Sequence, residues 1–342
     1  MIQDIFPDKL YNQYDVNVSP SENSPVYIFK RDSLLISKEG GFRLPSYSEL
    51  SEYLSENGGA KIIFLFRINE EKRFLLLPSV DGESQIFPSS SEIGENYSIQ
   101  KSQVDGENKS FEASSEIAKN RSITVPQVDV KKQLSLKQSG GVGRFSYRKI
   151  FDIRMSGLCS KTELFAITTA YHLSVWYNSN RFCGRCAAPL ELSKKERALV
   201  CPHCKNTVYP RINPAVIVAV TDHDRILLTK YRGRADVPFY ALIAGFVEIG
   251  ETLEETVQRE VMEEAGLRVK NIRYYKSQPW GKASDILSGF FCDLDGSTEI
   301  TMEEDELSVA EWYDRDKVIG QPDDMSLTNE MMMVFKEGKE PK

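Results

Sequence analysis

The sequence predicts an α/β (α+β) protein in three structured parts: an N-terminal mixed α/β domain, a four-cysteine ribbon and a C-terminal α/β domain. Three observations carry this. Apolar runs of strand length alternate with segments of helical period on both sides of residue 181. Four of the six cysteines fall into two C-x-x-C pairs. Residues 245–267, GFVEIGETLEETVQREVMEEAGL, run from a glycine-bounded turn into a helix and carry seven glutamates.

Composition sets the outer bounds. A chain of 342 residues suits two or three domains with a well-buried core. It is 41% hydrophobic and 27% charged, as soluble proteins are, and its net charge of -7 gives no general electrostatic case for nucleic-acid binding. No run of about 18 apolar residues is present, so neither a spanning helix nor a membrane partner is expected. The opening MIQDIFPDKLYNQYD lacks the basic and apolar regions of a secretory signal, and the expected location is cytoplasmic.

Residues 1–88 read as the N-terminal α/β domain. SPVYIFKRDSLLIS gives strands around a polar turn, SYSELSEYLSENG a short helix with a Ser cap and a Gly stop, and KIIFLFRINEEKRFLLLP a hairpin. Residues 89–141 form a Ser-rich insertion with an internal duplication: SSEIGENYSIQKSQVD (90–105) matches SSEIAKNRSITVPQVD (114–129) at ten of sixteen positions. Two copies are too few for a solenoid, and a surface insertion or a partner-binding flap remain the readings. Residues 142–180 complete the first domain. RFSYRKIFDIR reads as a returning strand, and KTELFAITTAYHLSVWYNSN as an amphipathic helix with Leu164, Ile167, Tyr171 and Val175 on its buried stripe. His172 has no evident partner there. Residues 211–342 form the last domain, with strands at PAVIVAV, RILLTKY and SGFFCDLDG and a final helix near SLTNEMMMVFKEG. The methionines of that helix read as core or interface.

Residues 181–210 hold the cysteine quartet. CGRC (Cys183, Cys186) and CPHC (Cys201, Cys204) are fourteen residues apart. Each pair forms a tight knuckle presenting two thiolates, and two knuckles close a saturated tetrahedral site for one structural Zn2+ per chain. In a reducing compartment this spacing points to metal rather than disulfide. A ribbon of this kind either binds nucleic acid or staples small elements together. The loop AAPLELSKKERALV sets Lys194, Lys195 and Arg197 against Glu191 and Glu196, a weak basic patch, which favours stapling.

The glutamate helix has its own logic. Thr252 and Glu255 form a capping box, and Leu253, Val257 and Val261 make the buried stripe. Glu260 and Glu264 share a face, with Glu263 beside them. Like charges at that spacing cost roughly 0.2–0.5 kcal/mol per pair, and the C-terminal end of a helix dipole disfavours anions. A hard divalent cation, Mg2+ or Mn2+, removes the penalty and brings phosphate oxygens with it.

The stretch resembles the Nudix box. Gly245, Glu251, Arg259, Glu260, Val261, Glu263, Glu264, Gly266 and Leu267 occupy its positions at the required spacing. The resemblance implies a Nudix α/β/α sandwich and hydrolysis of a nucleoside diphosphate linked to another moiety. It also implies divalent ions on Glu260, Glu263 and Glu264, and an Arg259–Glu251 ion pair tying loop to helix. A zinc ribbon directly before such a domain is similar to the NADH pyrophosphatase (NAD+ diphosphatase) family, over roughly 144–336. That family shows SQPWPFPxS downstream; this chain keeps Ser277, Gln278, Pro279 and Trp280 and then reads GKASD, with Asp285 in place of the final Ser. The likeness further implies substrate contacts from Phe246, Tyr209, Glu196, Arg148, Gln278 and Trp280. It adds a carbonyl ligand from Ala244, a further metal ligand in Glu306, and a homodimer. Core aromatics and surface charges are the plain alternatives for these residues.

The activity so implied is hydrolysis of NADH or NAD+ to NMN(H) and AMP, with Glu263 or Glu264 as candidate base. Decapping of NAD-capped RNA and cleavage of another dinucleotide such as ADP-ribose keep the chemistry and change the substrate. A retired Nudix and zinc-ribbon binding protein is the rival from another class, and the intact box glutamates argue against it.

Overall fold

The computed structural model describes residues 1–56, 60–78, 144–232 and 239–342. The duplicated insertion and the Gly stop of the first helix lie outside the described residues. No described helix is long and apolar enough to cross a membrane.

The N-terminal part is built on two small sheets. Strands β1 (Leu10–Tyr11), β2 (Val26–Tyr27), β5 (Lys61–Ile68) and β6 (Glu71–Leu77) form one in the order β1-β5-β6-β2. Strands β3 (Phe29–Lys30), β4 (Ser33–Ser37) and β7 (Phe145–Lys149) form the other, with β4 central. The β5–β6 hairpin is apolar on both faces because both are covered. Leu65 and Leu75 enter the core shared with the long helix, while Phe64, Phe74 and Leu76 enter a second core beneath α1 (Ser51–Glu56). The returning segment is strand only as far as Lys149. Ile150–Met155 is helix α2, where Ile150 and Ile153 are buried three residues apart.

Helix α3 (Lys161–Ser179) is capped by the Ser160 side chain on the Glu163 amide. Its buried set is broader than a stripe and is displaced from the expected one: Leu164, Ala166, Ile167, Ala170, Leu173, Trp176 and Tyr177 are buried, while Tyr171 and Val175 lie at the edge. The helix sits between sheet and ribbon, so two flanks are covered and the 3.6-residue pattern blurs. His172 is not partnerless: its Nε2 lies 2.7 Å from the carbonyl of Arg211, where the chain leaves the ribbon.

The ribbon is a three-stranded antiparallel sheet of β8 (Glu191–Leu192), β9 (Leu199–Val200) and β10 (Thr207–Val208), with β9 central. After it comes a six-stranded mixed sheet. Strands β14 (Val269–Trp280), β15 (Asp285–Leu294), β11 (Asn213–Asp222), β12 (Arg225–Tyr231) and β16 (Leu307–Asp314) follow in that order, and β13 (Ile243–Phe246) also pairs with β11. Alternation along β11 sends Val216, Val218 and Val220 to the core under helix α4 (Leu253–Ala265), and Ile217 and Ala219 to the core under α5 (Leu327–Lys336). The result is an α/β/α sandwich. Met331 and Met332 fill the α5 core. SQPW is the end of the twelve-residue strand β14 rather than a loop.

Candidate functional site

The four cysteine sulfurs all lie within 4.8 Å of one another. Cys183 Sγ is 3.5 Å from Cys204 Sγ, and Cys186 Sγ is 3.5 Å from Cys201 Sγ. The Arg185 amide points at Cys183 Sγ from 3.4 Å and the Cys204 amide at Cys201 Sγ from 3.3 Å. Those amides hold both thiols below the usual range, while the neighbouring sulfurs push Cys186 up. Four sulfurs with knuckle amides behind them fit a closed tetrahedral Zn2+ site.

The glutamates are organised by Arg259. Its guanidinium reaches Glu251 Oε1 at 2.6 Å and Oε2 at 2.9 Å, Glu260 Oε1 at 2.7 Å, Glu263 Oε2 at 2.9 Å, and the Phe246 carbonyl at 2.9 Å. One arginine thus ties the loop after β13 to α4. Arg259 first, then the Glu248 amide at 3.1 Å and the Thr256 hydroxyl at 2.9 Å, hold the Glu251 carboxyl down to about 2. The loop is fixed before any ligand arrives.

Glu264 is different. Only 1% of it is exposed, and its Oε2 has no hydrogen-bond partner among the described residues. Burial first, then the charges of Glu260 and Glu306, push its carboxyl up to about 9, against bonds from the Ala244 amide and the Tyr231 hydroxyl. Glu260 is also buried and also raised, chiefly by desolvation. Glu306, exposed on the loop before β16, joins the group from outside the helix, and desolvation first, then the charges of Glu303 and Glu263, raise it. A buried, unpaired carboxylate oxygen beside two more carboxylates is costly unless a proton or a cation neutralises it. The donor set is all oxygen, as Mg2+ and Mn2+ prefer. These carboxylates do not converge as tightly as the thiols, because Arg259 holds Glu260 and Glu263 on its own guanidinium. Ala244 lies on the same side, with its carbonyl 3.5 Å from the Tyr231 hydroxyl. Tyr231 carries no sequence signal; it is the last residue of an ordinary strand.

Phe246 follows directly and is 53% exposed, a large ring left in solvent beside the carboxylates. Tyr209 is 56% exposed and donates to Glu196 Oε1 at 3.0 Å, so the fold joins these two into one ribbon feature. Arg148 lies exposed on β7, opposite Leu34.

Gln278 and Trp280 lie on a different face from the carboxylates. Gln278 is fully buried on the α5 face of the sheet, opposite α4. Its Nε2 donates to the Met325 carbonyl at 2.8 Å and its Oε1 accepts the Leu327 amide at 2.8 Å. It also donates to Gln3 Oε1 at 3.2 Å, and so ties the start of α5 to the N-terminal segment. Trp280, two residues on, shares that face and lies 5.5 Å under the Arg154 guanidinium, which is itself bidentate to Asp323 at 2.6 Å. This stack joins α2 to the C-terminal sheet. Gly281 follows because a Cβ there would lie 2.2 Å from the Thr168 carbonyl of α3. Asp285 is buried, accepts from Asn213 Nδ2 at 3.3 Å, and is pushed up to about 6 by burial. The GKASD departure thus lies at the junction with α3.

Comparison with known families agrees with this geometry. Residues 211–333 match the NUDIX domain model. Residues 211–333 form a Nudix domain. The segment before it, 178–209, matches the NADH pyrophosphatase zinc ribbon domain. Two curated relatives are both called NAD-capped RNA hydrolase NudC. The one from Klebsiella pneumoniae subsp. pneumoniae is 48% identical over 143 residues, which is 41% of this chain and 54% of the relative. The one from Salmonella typhi is 46% identical over 142 residues, again 41% and 54%. The chain spans about half the length of the curated relatives it matches. A Nudix hydrolase structure from Nitrosomonas europaea is 22% identical over 46% of this chain and 91% of its own, with a TM-score of 0.37, too partial a likeness to bear on the site. Residues 211–333 contain Glu251, Glu260, Glu263, Glu264 and Glu306, and residues 178–209 contain every cysteine of the quartet.

Proposed function

We propose that the protein is an NAD(H) diphosphatase, hydrolysing the diphosphate bond of NADH or NAD+ to NMN(H) and AMP with Mg2+ or Mn2+. The observation that carries this is Glu264: a buried carboxylate with an unpartnered oxygen, beside Glu260 and Glu306 in a Nudix domain. Glu260, Glu263, Glu264, Glu306 and the Ala244 carbonyl hold the divalent ions. When bound, the ions neutralise charge on the diphosphate and acidify water.

The remaining work falls to the chain. Arg259 and Glu251 keep the loop and Phe246 in place, so the substrate meets a preformed wall. Phe246 offers an exposed face to a flat ring such as nicotinamide. Glu196 and Tyr209 act as one polar contact, and Arg148 is a further substrate contact. Of the two candidate bases, Glu263 is the open one, its side chain 59% exposed, and takes the proton of the attacking water; Glu264 is the buried ligand.

A second reading is favoured by the name of the curated relatives: the same linkage at the 5′ end of an RNA, so that the enzyme removes an NAD cap. We also place the protein in the cytoplasm, where four ribbon thiols stay reduced, and as a homodimer, to be checked by sedimentation. The function is tested by product chromatography after incubation with NADH, NAD+, ADP-ribose and diadenosine tetraphosphate, each with Mg2+ or Mn2+. AMP plus NMNH is expected, with NADH preferred. Preference for another dinucleotide reassigns the substrate, and no hydrolysis of any returns the chain to a binding role.

A further inference from the structure

The ribbon is basic within an acidic chain. Residues 181–211 carry seven Lys and Arg against two Glu, in a chain of net charge -7. The inner face is occupied: Leu190, Leu192, Leu199 and Val208 pack on the N-terminal core, and Arg197 turns inward to the Leu65 carbonyl at 2.5 Å. The outward cations are Arg185, Lys194, Lys195 and Lys205, all exposed. Among the described residues none of the four pairs with a carboxylate; Lys205 Nζ donates to the Pro202 carbonyl at 2.8 Å. An ordinary soluble surface intersperses the two signs.

Their placement follows the topology. Arg185 and Lys205 sit at the two knuckles, at one end of the sheet, and Lys194 and Lys195 sit in the turn joining β8 to β9, at the other. An aromatic ring stands exposed near each end: Phe182 by the first knuckle, and Tyr209, bonded to Glu196 in the β8–β9 turn. Unpaired cations along a surface, interleaved with exposed rings, match a single-stranded polynucleotide, whose phosphates repeat and whose bases stack on any aromatic face.

We propose that the outer face of the ribbon holds the single-stranded RNA chain that continues from a dinucleotide-capped 5′ end, with its phosphates on Arg185, Lys194, Lys195 and Lys205 and a base against Phe182. The cap half of this statement rests on the diphosphatase reading; the RNA half does not.

The test uses the full-length, zinc-loaded protein and a short single-stranded RNA with a 5′-hydroxyl, so that binding is independent of cleavage. Fluorescence anisotropy is measured against salt for wild type, Lys194→Glu with Lys195→Glu, and Arg185→Glu with Lys205→Glu. Each double variant is expected to bind about tenfold or more weakly, with a salt slope shallower by about 1.4, two single-strand phosphate contacts' worth. Zinc content and NADH turnover are expected to stay at wild-type levels. Wild type that fails to bind the RNA, or variants that bind it as wild type does, overturn the proposal. Intact RNA binding with no NADH hydrolysis overturns the diphosphatase reading and leaves the RNA face standing.

Discussion

Gly245 and Glu260 compete for one volume: a Cβ on Gly245 would lie 1.9 Å from Glu260 Cδ and 1.9 Å from its Oε1. The backbone of β13 gives way so that a carboxylate from α4 can press against it. Gly245→Ala is expected to fold, because the clash is with the end of a flexible side chain that can turn away by giving up its bond to Arg259. It should lose about 100-fold or more in kcat/KM, since a metal ligand displaced by an ångström misplaces the substrate with it. Near-normal turnover in a folded Gly245→Ala would remove Glu260 from the metal site.

Glu264 ties activity to pH-dependent stability. Its folded carboxyl is raised to about 9 from an ordinary 4.5. The folded state therefore holds the proton more tightly than the unfolded chain. That contribution is fully present below about pH 4.5 and is lost as pH rises toward 9. Metal-free wild type should lose stability over this window, and Glu264→Gln should lose less, keeping the contributions of Glu260 and Asp285. At about pH 8 we expect the metal-free variant to be the more stable by roughly 1–3 kcal/mol. It should keep zinc, lose the thermal shift that Mg2+ or Mn2+ gives wild type, and lose most turnover. Thermal melts with and without the divalent ion decide it; a variant still stabilised by Mg2+ contradicts the assignment.

Gln278 separates a structural role from substrate contact. Gln278→Ala strips the Leu327 amide of its acceptor in the core and should cost about 1–3 kcal/mol in denaturant unfolding. KM for the dinucleotide should stay unchanged. A raised KM with unaltered stability would return Gln278 to the substrate.

Zinc removal should act through folding. The quartet holds strands of two residues each, too short to persist alone. A strong chelator, or Cys201→Ser, is expected to open residues 181–210 to proteolysis, with metal analysis of the intact protein giving about one zinc per chain. Protection that survives zinc loss would show the ribbon held by its hydrophobic contacts alone.

Much of this site was legible along the chain because it is local. The capping box of Thr252 and Glu255, the Arg259 and Glu251 positions, and the paired knuckles all lie within segments whose spacing dictates their geometry. The misread features are those in which distant segments meet. Tyr171 and Val175 lost the buried stripe of α3 because sheet and ribbon cover that helix from two sides. The family likeness implied substrate contacts from Gln278 and Trp280, yet strand alternation and the position of α5 turned both to the opposite face of the sheet.

By itself, then, the sequence determined the chemistry available: four thiolates for zinc and a row of carboxylates for a divalent ion, each within one helix or one ribbon where spacing becomes geometry. The tertiary structure decided which of those carboxylates is buried without a partner and which cations the ribbon leaves outside. Those depend on what packs against each side chain, and desolvation by distant strands is written in no local pattern.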